Sequence, residues 1–265
     1  MTIATVDGIR IDYQVTGQGE PLLLIMGLGY SRHDWQWIIP SLSRSFQTIV
    51  FDNRCVGESD CPDEPFTIRH MADDAAGLLD FLGIDAAHVF GVSMGGHVAQ
   101  ELAINHPDKI LKLVLACCHL GPKKSIPLSE ETMRHFTEII EDPEERIRKK
   151  MPYSFRSGWV EDHSVEFDEI VRLRLPHQQT AEQRQRQFDA ALTHDTAERV
   201  GLIRAPTLVL QGTADRVVPL EMAALIAGAI PNARIQMLEG AGHLFFIEEP
   251  ALVAQLIEEF CLQED

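Results

Sequence analysis

Short, predominantly apolar runs alternating with stretches of helical periodicity constrain this chain more than any other feature. Leu22–Met26, Thr48–Phe51, His88–Phe90, Leu113–Ala116, Thr207–Leu210 and Ile235–Leu238 are such runs. A strand apolar on both faces must be covered on both faces, as in a parallel sheet. Helical patterns separate the runs at Ile68–Leu82, Met94–Asn105, Leu220–Ala229 and Pro250–Cys261. Asn105-His106-Pro107-Asp108 reads as a helix stop, because proline cannot continue the hydrogen-bond ladder. Ile11–Thr16 alternates in polarity and predicts one early antiparallel strand. The order of elements gives an α/β fold: a mostly parallel sheet with helices on both faces.

One segment breaks this alternation. Residues 121–196 show no strand signal and are rich in Glu, Gln, Arg and Lys with spaced Phe, Ile and Leu. Five prolines divide the segment into several predicted helices. It is too long for an ordinary loop. The expected organisation is therefore a first core part at 1–120, a helical insertion at 121–196 and a second core part at 197–265.

The charge balance narrows the partners. The 265 residues carry a formal charge of −17, from 40 acidic and 23 basic side chains. Phosphate contacts need clustered Lys and Arg, so nucleic acid and anionic membranes are demoted. The acidity lies outside the insertion, which holds 12 basic and 15 acidic residues. Lys149, Lys150 and Arg156 are candidates there to meet a small carboxylate-bearing substrate. No apolar run approaches the ~20 residues that span a bilayer, and the N-terminus lacks the pattern of a signal peptide. Cys55, Cys61, Cys117, Cys118 and Cys261 form no regular framework. They read as reduced thiols of a cytoplasmic protein.

Gly91-Val92-Ser93-Met94-Gly95 has the form GxSxG, directly after one apolar run and at the start of a helical pattern. A sharp strand-to-helix turn exposes Ser93 beside a helix N-terminus, where developing negative charge is favoured. The bland alternative is an ordinary serine N-cap. A serine hydroxyl needs a base, and the base needs a carboxylate to orient it. His243, at the end of Glu239-Gly240-Ala241-Gly242-His243, follows the last apolar run and is the first choice. His119 is the reserve. Asp215 follows the run ending at Leu210 and supplies the carboxylate. The order Ser, Asp, His is that of the α/β-hydrolases. An oxyanion hole would come from the backbone N–H of Leu28, in the turn Met26-Gly27-Leu28-Gly29, and of Met94. No GxGxxG opens a helix, and no HExxH or close His/Cys cluster is present, so neither a cofactor nor a metal is expected.

Taken together these motifs resemble the α/β-hydrolase fold superfamily, in its group of small bacterial serine esterases, enol-lactonases and haloperoxidase-like proteins. The resemblance rests on Met26–Gly29, Asp52-Asn53-Arg54-Cys55-Val56-Gly57-Glu58-Ser59, the turn at Ser93, Gly212–Asp215 and Gly242-His243. It implies an eight-stranded sheet and a helical cap after the sixth strand. Met26 stands where the family commonly has histidine, and Cys55 where it has glycine. Haloalkane dehalogenases and epoxide hydrolases of this fold use aspartate at the position of Ser93, so neither activity is expected. The expected reaction is hydrolysis of a small carboxylic ester or lactone through an acyl-serine. Carbon–carbon bond hydrolysis or perhydrolase chemistry on the same residues is the alternative within enzymes, and a silent ligand-binding protein the alternative outside them. Trp35, Phe136, Tyr153, Phe155 and Trp159 are candidates to line the substrate pocket, or else packing residues.

Overall fold

The computed structural model describes residues 2–263. Its single sheet has eight strands: β1 Thr2–Val6, β2 Ile9–Thr16, β3 Glu20–Ile25, β4 Phe46–Phe51, β5 Ala87–Val92, β6 Ile110–Ala116, β7 Thr207–Gly212 and β8 Ala233–Leu238. Their spatial order is β1-β2-β4-β3-β5-β6-β7-β8. The first two strands pair antiparallel with their neighbours, and all later pairings are parallel. The chain leaves β3 to form β4 on one side, then returns to form β5 on the other. Such a reversal opens a crevice at the carboxyl ends of the strands, where open α/β sheets place ligands.

Strand periodicity divides the core into two layers. Leu23 and Ile25 of β3 face one layer, packed with the helices α1 Ile68–Phe81 and α2 Met94–Asn105. Leu22 and Leu24 face the other, which contains Trp35, Phe90, Phe246 and residues of a C-terminal helix. Five of the six predicted runs thus form strands buried on both sides; the sixth, Ile235–Leu238, lies in edge strand β8, where Ile235 and Gln236 are exposed and only Leu238 is buried. The pleat of β1 was absent from the sequence expectation; only Ala4 and Val6 of its five residues are buried.

Between β6 and β7 lie no strands but four helices of eight residues or more: α3 Glu130–Thr137, α4 Pro143–Lys150, α5 Ser164–Arg174 and α6 Ala181–Leu192. Three begin on side-chain caps, from Ser129, Asp142 and Thr180. Each cap satisfies an N–H that the helix itself leaves free. α7 Glu221–Ala229 and α8 Pro250–Cys261 complete the chain. None of the described helices is long and apolar enough to cross a membrane.

Candidate active site

Ser93 joins the end of β5 to the first residue of α2 with φ 57° and ψ −122°. This backbone conformation is costly for any residue but glycine, and such strain concentrates at functional sites. The surroundings hold it in place. The Ser93 N–H donates to the Ala116 carbonyl at 2.8 Å, and its own carbonyl accepts from Gly96 at 2.9 Å. A Cβ on Gly95 would run into the Ile25 carbonyl oxygen, so the close approach of α2 to β3 requires glycine there.

Asp215 and His243 leave the ends of β7 and β8, as their positions after apolar runs suggest. His243 Nδ1 lies 2.8 Å from Asp215 Oδ2. The Asp215 side chain is fully buried. Its Oδ1 accepts the Val217 and Val218 N–H groups at 2.7 and 3.0 Å, and Oδ2 also accepts from Gln211 Nε2 at 3.0 Å. Burial works against ionisation of this carboxyl. The adjacent His243 and the backbone donors outweigh it and hold the group below the usual carboxylate range. The loop carrying His243 is tied down by Glu248, whose carboxylate accepts the N–H groups of Gly242 and Arg156.

Cys117 extends this group. Its thiol contacts the His243 carbonyl at 3.6 Å, and burial together with the Asp215 charge pushes it far up. Cys117, Asp215 and His243 present donor atoms within 4.8 Å of one another. The Asp215 and His243 atoms are already satisfied by each other.

The turn Met26–Gly29 passes directly beside the serine. A Cβ on Gly27 would stand 3.1 Å from Ser93 Cβ. Met26 is buried, and its carbonyl accepts from Asn53 Nδ2 at 2.9 Å. Gly29, at φ 71°, donates its N–H to Gln187 Oε1 at 3.0 Å. Gln187 Nε2 in turn donates to the Arg54 carbonyl at 2.8 Å, and Gln179 Nε2 to the Cys55 carbonyl at 2.7 Å. Two glutamines from the helical segment therefore hold both loops that flank the sheet's central crevice.

Cys55 corrects the expectation that all five cysteines are reduced. It is bonded to Cys61, with Cα atoms 4.2 Å apart, while Cys117, Cys118 and Cys261 are free. Cys55 has φ 66°, the left-handed conformation that glycine adopts without penalty. That explains why the family has glycine there. In this chain the strained residue is held by its sulfur and by its N–H, which donates to the Asp60 carbonyl at 3.0 Å.

Two cavities meet at Ser93. One contains Leu28, Ser93 and His243 and continues to Arg146, Lys150, Arg174 and Arg184. The other contains Leu28, Ser93 and Met94 and is otherwise mostly apolar, with Phe136, Phe188 and Val217. Of the five aromatic candidates only Phe136 lines these cavities. Trp35 is fully buried against Phe90 and Phe246. Phe155 and Trp159 stack on each other at 4.2 Å within the core. Tyr153 gives its hydroxyl to a hydrogen bond with Thr132 and its ring face to Arg216. These four are packing residues, the other role their sequence context allowed. Of the three basic candidates, Lys150 lines the cavity, whereas Lys149 pairs with Glu145 and Arg156 with Asp162. Among the described residues His119 has no hydrogen bond to a carboxylate; its Nδ1 accepts the Gly121 N–H and its ring packs on His97, with ring centroids 4.1 Å apart. Arg146, Arg174, Arg184, Gln179 and Gln187 escaped sequence reasoning, because amphipathic helices carry many such residues facing solvent.

The profile of the alpha/beta hydrolase family matches residues 22–256. The chain belongs to the alpha/beta hydrolase family. This alpha/beta hydrolase is 27% identical over 253 residues to a relative from Azorhizobium caulinodans, named as a proposed carbamate hydrolase (RutD), covering 96% of this chain and 95% of that protein. It is 30% identical over 267 residues to a Paraburkholderia phymatum protein named 2-hydroxy-6-oxononadienedioate/2-hydroxy-6-oxononatrienedioate hydrolase, covering 95% and 91% of the two chains. Among solved structures it superposes on the enol-lactonase of Burkholderia xenovorans LB400 with a TM-score of 0.84 and 25% identity, over 99% of this chain and 100% of that one. Hydrolysis of a small molecule is the activity these similarities support.

Proposed function

We propose that this hydrolase cleaves a carboxylic ester or lactone through an acyl-serine intermediate. The observation that carries the reading is the 2.8 Å contact of His243 Nδ1 with a buried, ionised Asp215, in a cleft shared with the strained Ser93. Ser93 Oγ attacks the carbonyl carbon while His243 takes its proton. Asp215 fixes the imidazole orientation and stabilises its cation. The N–H groups of Leu28 and Met94 receive the oxyanion, each donor contributing about 3 kcal/mol to the transition state. His243 then passes the proton to the departing oxygen, and water repeats the sequence on the acyl-serine. Residues 121–196 act as a cap over the crevice, which accords with the cavity lining contributed by α3–α6.

Ser93→Ala should lower turnover of para-nitrophenyl esters by about 10⁴ to 10⁶. The intact protein should gain a single fluorophosphonate adduct at Ser93, visible by mass spectrometry. Retained turnover in the alanine variant refutes the mechanism, and absence of labelling favours a ligand-binding role. The similarity to the Paraburkholderia phymatum protein favours a second reading, cleavage of a carbon–carbon bond next to a ketone by the same residues. Faster turnover of a 2-hydroxy-6-oxo dienoic acid than of any ester or lactone selects it.

A further inference from the structure

The cavity shared by Ser93 and His243 is lined by four cationic side chains and by no Asp or Glu. In a chain with 40 acidic and 23 basic residues this is a local inversion of charge. One of the four cations is neutralised. Arg174 contacts Asp34 at 2.7 Å and lies 3.7 Å over the Tyr30 ring. The other three are not. Lys150 gives its ammonium to the carbonyls of His135 and Glu138. Arg146 reaches the Ile140 carbonyl and the Gln178 side chain, and its buried Nε has no hydrogen-bond partner among the described residues. The guanidinium of Arg184, half-buried on α6, makes no hydrogen bond and no ion pair among the described residues. Burial, then the neighbouring cations, push Arg146, Lys150 and Arg184 below their ordinary values. Gathering unpaired cations where water is partly excluded is unfavourable, and an anion that completes the set relieves it.

The second cavity differs in kind. Around Ser93 and Met94 it presents Phe136, Phe188, Leu192, Val217 and Val218, and His243 does not line it. The two cavities therefore divide the substrate at the scissile bond. The group that departs must receive its proton from His243, so it occupies the cationic cavity. The acyl group that stays on Ser93 occupies the apolar one.

We infer that the substrate is an ester whose departing portion carries a carboxylate, bound by Arg184 with Arg146, and whose acyl portion is apolar. The inference rests on the reading of Ser93 as nucleophile. In the step itself the Ser93 Oγ–acyl carbon bond forms and the bond from acyl carbon to departing oxygen breaks. The serine proton moves through His243 to that oxygen, and the product is a hydroxy acid. A guanidinium matches a carboxylate in two parallel hydrogen bonds, which makes Arg184 the specificity-determining residue.

The test compares para-butanoyloxybenzoate with its neutral isostere para-butanoyloxybenzamide, and para-nitrophenyl hemisuccinate with para-nitrophenyl butanoate. The benzoate should exceed the benzamide in kcat/KM by about 10- to 100-fold, the scale of a hydrogen bond to a charged group. The hemisuccinate, with its charge on the acyl side, should show no advantage. Arg184→Gln should collapse the benzoate-to-benzamide ratio toward one, chiefly through KM, and Arg184→Lys should restore part of it. Equal rates for the first pair, a preference for hemisuccinate, or an Arg184→Gln loss equal for both esters overturns the inference. Calorimetric titration of para-hydroxybenzoate into Ser93→Ala reads the anion site without turnover. Binding that Arg184→Gln abolishes, in a protein that hydrolyses neither ester, upholds the anion site and refutes the serine-hydrolase reading instead. Ester turnover without such binding does the reverse.

Discussion

Replacing His194 by leucine should stabilise this protein, and by more at acidic pH than at neutral pH. His194 lies between α6 and β7, only 3% exposed, stacked on His97 with ring centroids 4.4 Å apart. Neither of its ring nitrogens has a hydrogen-bond partner among the described residues. Burial, then the charges of His119 and Arg199, push its pKa down to about 3, and burial takes His119 to about 4. An unfolded chain binds the proton near 6.5. Between these values the unfolded state holds a proton that the folded state lacks, so stability rises with pH across that window and is lost as pH falls. At pH 5 the deficit for His194 alone is about 2 kcal/mol, from 1.5 pH units at ~1.4 kcal/mol each. At pH 7.5 the deficit vanishes, and the substitution removes only two unsatisfied polar atoms, a change that is neutral or stabilising when shape is kept. Urea unfolding followed by tryptophan fluorescence at both pH values measures the two differences. The advantage of leucine over histidine should be about 2 kcal/mol larger at pH 5. An equal difference at both pH values would show that the imidazole titrates normally and would refute the reasoning.

Other outcomes follow from the same geometry. Asp215→Asn keeps the shape of the buried side chain but favours the wrong imidazole tautomer, and kcat should fall by about 10⁴ with little change in thermal stability. Cys61→Ser opens a loop of only a few residues, so unfolding free energy should drop by about 2 kcal/mol. Reductant should lower the melting temperature of the wild type and leave that of Cys61→Ser where it is.

Much of the site was legible because its residues sit where strands end. An uninterrupted apolar run ends abruptly, and the first residues beyond it must lie at the sheet's edge. That is how Ser93, Asp215 and His243 emerged from a chain with eleven histidines. The helical segment offers no such marker. Arg184 and Arg186 stand two residues apart on α6 in a sequence that treats them alike. One lines the cavity, while the other pairs with Glu182 and donates to the Pro62 carbonyl. Which arginine turns inward depends on how the helix docks, a tertiary property. The Cys55–Cys61 bond was hidden for a related reason. Six residues of separation bring two sulfurs together only when the backbone folds back on itself, and here it does so through a residue at positive φ. Two of the aromatic candidates failed on burial: Trp35 and Phe155 are large enough to be drawn wholly into the core.

The amide of Gln187 grips the Gly29 N–H with one atom and the Arg54 carbonyl with the other. Its helix is also the one that carries Arg184. On the proposed reading, substrate choice and the setting of the oxyanion turn are geared together through this helix. A graft that exchanged residues 121–196 for the corresponding helices of a relative would bring new preferences and at the same time retune the turn beside Ser93. Divergence toward a new substrate is constrained to changes that leave this one side chain seated.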